Sequence, residues 1–172
     1  MTLVRATLDD AEPLGDVHVQ AWRETYAGLV PQRVLDALDP AARARMWRGA
    51  IGGDTAVFLA KEAGAIVGFG ACAPPREPKL PFDAEISALY LLRHAQRRGL
   101  GRALMDAMAR ALAATGRHSV SLWVMDGNTP AEKFYIALGG RKVTARTRQR
   151  DDWTLHETAY AWDDVTRLFQ PR

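Results

Sequence analysis

The chain has 172 residues, 48% hydrophobic and 25% charged, with a formal net charge of +3. That size suits one domain, spanning residues 1–172, built on one core. No apolar run approaches the ~20 residues that cross a bilayer, and the opening MTLVRATLDD lacks a signal-peptide apolar stretch, so a cytoplasmic protein with no membrane partner is expected. Cys72 is the only cysteine, which excludes an internal disulfide and a cysteine-based metal site; no metal is expected.

Residues 2–6 read as a short strand. Thr7 or Asp9 can cap a helix from about Asp10, with Glu12 in its first turn. Leu14, Val17, Ala21 and Trp22 keep the helical period to about Tyr26-Ala27-Gly28. Pro31 opens a short helix through Leu38, and Asp39-Pro40 opens another through Ala50, stopped by Gly52-Gly53. Residues 55–61 and 66–73 alternate as a strand pair around a tight turn. Cys72 falls in the second of these and reads as a small core residue. Residues 74–81 contain four prolines, so an ordered loop at one end of the sheet is expected.

The next stretch, 84–115, organises the chain. Its first part alternates, placing Ile86, Ala88, Tyr90 and Leu92 on one face and Glu85, Ser87, Leu89 and Leu91 on the other. Its last part is an amphipathic helix, with Leu100, Leu104, Ala107, Met108, Ala111 and Leu112 in one stripe. Between them stands Gln96-Arg97-Arg98-Gly99-Leu100-Gly101. A helix N-terminus presents unpaired N–H groups and the positive end of a dipole, and glycine lets a ligand approach the main chain. Strand, glycine turn and helix together make a candidate phosphate site. Arg93, Arg97, Arg98 and Arg102 crowd this turn, and residues 141–150 form a second basic run. Such runs suit a small polyanion, a nucleic acid or a solvated surface alike.

Residues 119–124 form another strand. Asp126-Gly127-Asn128 is a turn, after which Thr129 caps a helix with Pro130 at its first position, ending at Gly139-Gly140. Strands at about 141–147 and 155–162, joined near Asp151-Asp152, complete the chain. The order is mixed α/β (α+β), with an antiparallel meander in the middle.

Gln96-x-x-Gly99-x-Gly101 after a strand, followed later by Asn128-x-x-Ala131-x-x-Phe134-Tyr135-x-x-Leu138-Gly139, resembles the GNAT (Gcn5-related N-acetyltransferase) superfamily. The element order agrees from about residue 2 to 163, and Trp22-Arg23-x-x-Tyr26 is similar to many bacterial members. Two departures stand out. Leu91-Leu92-Arg93-His94 lacks the usual proline after the strand, and Gly139-Gly140 replaces the common Gly-Phe.

The resemblance implies a mostly antiparallel sheet of about seven strands. In it the strand before the glycine turn splays from its parallel neighbour at 120–124, helped by a bulge near Ser87-Ala88. It implies an acetyl-CoA-dependent N-acetyltransferase acting on a primary amine by direct attack in a ternary complex. The amides from Arg97 to Arg102, Gly99, Leu100 and Gly101 included, would hold the pyrophosphate, with charge-assisted bonds from Arg97, Arg98 and Arg102 and a further cofactor contact from Gln96. Leu89, Tyr90 and Leu91 would pair with the cofactor's amide arm, the Leu89 N–H polarising the thioester carbonyl, with Asn128 on the other side. Tyr135 would be the general acid, and Glu85, acting through water, the base; His18 and His156 are other bases. Trp22, Glu24 and Tyr26 would line the acceptor pocket. No nucleic-acid partner is expected, and the C-terminal hairpin can support a homodimer. The alternative reading is a non-catalytic acyl-CoA-binding or regulatory module on the same fold.

Overall fold

The computed structural model describes residues 1–76, 80–150 and 152–169. The chain runs β1 (Thr2–Arg5), α1 (Ala11–Tyr26), α2 (Gln32–Asp36), α3 (Pro40–Ile51), β2 (Ala56–Glu62), β3 (Ala65–Ala73), β4 (Ala84–Leu91), α4 (Leu100–Ala114), β5 (Val120–Met125), α5 (Thr129–Ala137), β6 (Arg141–Arg150) and β7 (Trp153–Trp162). Single 3-10 turns lie at Leu8–Asp10, Arg93–Ala95 and Val165–Leu168.

Local chemistry explains most boundaries. The Asp10 carboxylate accepts from the N–H and hydroxyl of Thr7, closing the turn that leads into α1. Asp39 caps α3 by accepting from the N–H groups of Ala41 and Ala42. The cap of α5 is Asn128 and not Thr129: its side chain accepts from the Ala131 N–H at 3.4 Å. Helix α2 stops at Asp36, short of Leu38. β6 and β7 run longer than the sequence pattern indicates, and the Asp151 side of their junction and the middle of the proline-rich loop lie outside the described residues.

One seven-stranded sheet results, in the order β1-β2-β3-β4-β5-β7-β6. All neighbours are antiparallel except β4 and β5, which pair in parallel only at Ala84–Val120 and Glu85–Ser121 before diverging. The core forms a layer on each sheet face. Met105, Met108 and Leu112 of α4 press on Ile86, Leu122 and Val124, with Tyr135 of α5 and the final turn's Val165 and Leu168. On the other face, Leu14 of α1 and Trp47 of α3 cover Val57, Leu59, Phe69 and Ala88. Cys72 is buried in the first layer, and burial pushes its thiol up to about 11. No helix among the described residues is long and apolar enough to cross a membrane.

The register of β4 overturns the expected faces. Ala71 opposes Ala88 and Cys72 opposes Ile86, so Ser87 is an extra residue in the ladder. A bulge of this kind reverses side-chain alternation beyond it. Ile86 and Leu89 therefore both join the α4 side, whereas Ala88 and Tyr90 pack on the α1 side. Glu85, adjacent to Ile86, does not share the face of Leu89.

Candidate active site

The divergence of β4 from β5 opens a cavity of about 380 Å³. One wall is Ile86 to Leu91, the other Leu122, Trp123 and Val124, with α5 beyond. The Leu92 N–H donates to the Val67 carbonyl. Strand alternation then turns the N–H groups of Tyr90 and Ala88 toward β3 and those of Leu89 and Leu91 into the gap. The Leu91 carbonyl also faces the gap, where the Gln96 side chain donates to it at 3.0 Å.

At the cavity's mouth the chain enters the left-handed region twice, at Arg97 (φ 61°) and Gly99 (φ 83°). Such turns make a concavity of N–H groups suited to an anion, and α4 begins at Leu100, adding its unpaired amides and dipole. Nothing lies within 4 Å of where a Gly99 side chain would begin. Gln96, Arg97, Gly99 and Gly101 line the cavity. Leu100 turns its side chain into the core, leaving only main chain to offer. The Arg98 guanidinium is paired with Glu62 at 2.6 Å, and Arg102 is exposed.

Tyr135 sits on α5 with its ring 5.3 Å from Phe134 and 6.1 Å from Trp162. It lines the cavity, and its hydroxyl has no hydrogen-bond partner among the described residues. Burial, and secondarily Tyr90, raise its pKa above the ordinary tyrosine value, so the O–H stays a donor at neutral pH. Behind α5, a side chain at Gly140 would meet the Trp162 indole at 2.8 Å, which accounts for glycine in place of the bulkier residue. Asn128 caps α5 and lines the cavity from the β5 side.

The end of the cavity near α1 is aromatic. The Tyr26 and Tyr90 hydroxyls bond each other at 2.9 Å, and both line the cavity. Trp22 packs behind Tyr26, ring to ring at 4.9 Å. Glu24 is turned elsewhere: its carboxylate accepts from the Arg93 N–H at 2.6 Å and from Gln20, tying α1 to the turn after β4.

Glu85 is buried, but its carboxylate accepts from the Arg76 guanidinium and from the Arg76 N–H at 3.1 Å, and it does not line the cavity. Sequence reasoning missed Arg76 because it stands in the proline-rich loop, nine residues away. His156 is exposed and meets Thr147. His18 is buried, its Nδ1 accepting from the Trp47 indole at 2.9 Å, so its ring proton belongs on Nε2.

Burial, with a smaller push from Arg43, lowers the His18 pKa from 6.5 to about 3. A folded-state pKa below the unfolded value gives stability that is whole above about 6.5 and lost as pH falls toward 3. Urea unfolding should therefore show wild type losing about 1.4 kcal/mol per pH unit below about pH 6 relative to His18→Gln. Parallel pH curves for the two proteins would contradict this.

The acetyltransferase (GNAT) family matches residues 19–139, a span holding both the glycine turn and the α5 helix. An N-acetyltransferase of Bacillus subtilis, YuaI, is 32% identical over 170 residues, covering 98% of this chain and 96% of its own. Two solved structures share the fold with TM-scores of 0.71. The PaiA N-acetyltransferase of Thermoplasma acidophilum, in complex with coenzyme A, is 18% identical and covers 92% of this chain and 98% of its own. YncA of Salmonella typhimurium, with its cofactor acetyl-CoA, is 15% identical and covers 95% and 93%. With the splayed strands, the N–H-lined turn and this match over most of its length, the chain belongs to the acetyltransferase (GNAT) family.

Proposed function

We propose that the protein transfers the acetyl group of acetyl-CoA to a primary amine, the amine attacking the thioester directly while both substrates are bound. The observation that carries this reading is the cavity between diverging β4 and β5, opening onto a turn lined with main-chain N–H groups. Acetyl-CoA supplies a pyrophosphate, an arm of extended amides and a carbonyl carbon open to nucleophiles, and the residues present fit each part.

The amides of residues 97–102 bind the pyrophosphate, with charge from Arg97 and Arg102. Arg98 and Leu100 contribute main chain only, since their side chains are engaged with Glu62 and the core. Gln96 holds the turn against Leu91. Leu89 and Leu91 pair with the amide arm as a strand edge would, Tyr90 between them turning its ring to the acceptor side. Asn128 meets the arm from across the gap. The Leu89 N–H stabilises charge growing on the carbonyl oxygen, and the Tyr135 O–H protonates the departing thiolate.

No Asp, Glu, His or Lys is among the described residues lining the cavity. An alkylamine with a pKa near ~10 is mostly protonated at pH 7, and we assign its proton to water, with Glu85 serving to hold Arg76. Activity, as kcat/KM, should then rise about tenfold per pH unit between roughly pH 6 and 9, and Glu85→Gln should keep that slope. A plateau set by a group near pH 6–7, abolished in Glu85→Gln, would return the base role to Glu85. The reaction itself is tested by thiol release from acetyl-CoA across a panel of amines. Absence of both thiol release and acetyl-CoA binding by calorimetry would refute the reading; binding without release would favour the non-catalytic module.

A further inference from the structure

Strand alternation gathers a second set of charges beside the acceptor end. On β6, Arg146, Arg148 and Arg150 share one face. Opposite Arg146 in the ladder is Glu157 of β7, and opposite Glu157 on the other side is Met125 of β5. The Arg146 guanidinium carbon lies over the Trp123 ring, 3.8 Å from its centroid, and Trp123 lines the cavity. Glu157 is close enough to disfavour ionisation of both Tyr26 and Tyr90, which line the same cavity. Arg76 arrives from the loop after β3.

Counted among the described residues, this cluster holds four guanidinium groups and two carboxylates. Glu85 is occupied by Arg76, and Glu157 by Arg146 at 2.7 Å. Arg148 is left over. Its Nε is buried without a hydrogen-bond partner, 3.4 Å from Glu157 but misaligned. Burial, then Arg146, Arg150 and Arg76, all disfavour its charge, and only Glu157 supports it. Its side chain is 39% exposed, so a ligand can approach it from solvent. An uncompensated group of like charges beside a cavity is electrostatically incomplete, and an anion completes it.

We infer that the acceptor is a small acidic amine, one that carries a carboxylate received by the Arg148 guanidinium while its amine faces the cavity. This deepens the acetyltransferase reading and rests on it. Arg148 lies two residues beyond Arg146, a strand distance of about 7 Å, so the ligand spans the cavity's edge from the aromatic wall to β6. A guanidinium–carboxylate fork supplies both charge and orientation, which an amide in the same place cannot match.

The test is thiol release from acetyl-CoA with amino acids bearing one to four carbons between amine and carboxylate, each against its own carboxamide, with spermidine as a cationic amine. The inference expects the best acid to exceed its carboxamide by about tenfold or more in kcat/KM, the effect of one charge-assisted bond. In Arg148→Gln the ratio of acid to carboxamide should collapse to below about threefold. Equal use of acid and carboxamide, preference for spermidine, or a ratio unchanged in Arg148→Gln would overturn the inference while leaving the acetyltransferase reading in place. Release of no thiol with any member of the panel would overturn both.

Discussion

Tyr135→Phe should lower kcat by about 10²- to 10⁴-fold, the usual worth of a positioned proton donor, while acetyl-CoA affinity stays within about threefold. The substitution removes one oxygen and nothing else. The Tyr135 ring is fixed by Phe134, Tyr160 and Trp162, and Phe keeps those contacts. The hydroxyl has no hydrogen bond to lose among the described residues, so thermal stability should hardly change. A thiol leaving group of pKa about 8.5 departs poorly as a free anion at neutral pH. A buried phenol keeps its proton there, so a donor is present where the thiolate departs. Product release can hide a slowed chemical step, so the measurement is single-turnover acetyl transfer. An unchanged single-turnover rate would remove Tyr135 from the reaction.

Gly99→Glu should weaken acetyl-CoA binding by more than about 100-fold in calorimetry, a loss near ~2.8 kcal/mol. Two effects combine. Gly99 sits at φ 83°, where an L residue costs roughly 1–2 kcal/mol. The space beyond its Cα is empty of protein, so the new carboxylate projects into the place proposed for the pyrophosphate and repels it. Gly99→Ala separates the two: it carries the backbone cost without the charge and should bind acetyl-CoA within about tenfold of wild type. Equal affinity of Gly99→Glu and wild type would mean that the turn at 96–101 is not the phosphate site. A folded Gly99→Glu protein, verified by circular dichroism, is part of the measurement.

The two arguments differ in how far they could be read from residues in order. The turn proposed for the pyrophosphate is a local object: a strand, two glycines and a helix start within a few residues, each dictated by its own backbone preferences. The α5 constellation is equally local, since Ala131, Phe134, Tyr135 and Leu138 recur at helical spacing, although the cap proved to be Asn128 where the sequence pointed to Thr129. The acceptor side is different. Glu24 and Glu85 were attractive as pocket carboxylates, but Glu24 is taken by Arg93 and Gln20, and Glu85 by Arg76. Arg98 looked like a phosphate ligand and pairs with Glu62 across the sheet edge. Partners of charged groups are chosen in space, and a lone carboxylate in a sequence does not announce its cation.

Sequence alone determined the order of strands and helices, the glycine turn that opens α4, the tyrosine on α5 and the family, because each rests on spacing along a continuous segment. Tertiary structure alone decided which way β4 points its side chains. One extra residue at Ser87 reverses a period of two; the resemblance implied a bulge near Ser87-Ala88 and the ladder has it, but only the register shows which faces it exchanges. It also decided that Arg146 and Arg148 meet Glu157 and that Arg76 meets Glu85, since those meetings depend on the registers of β5, β7 and β6 and on where Arg76 falls beyond β3.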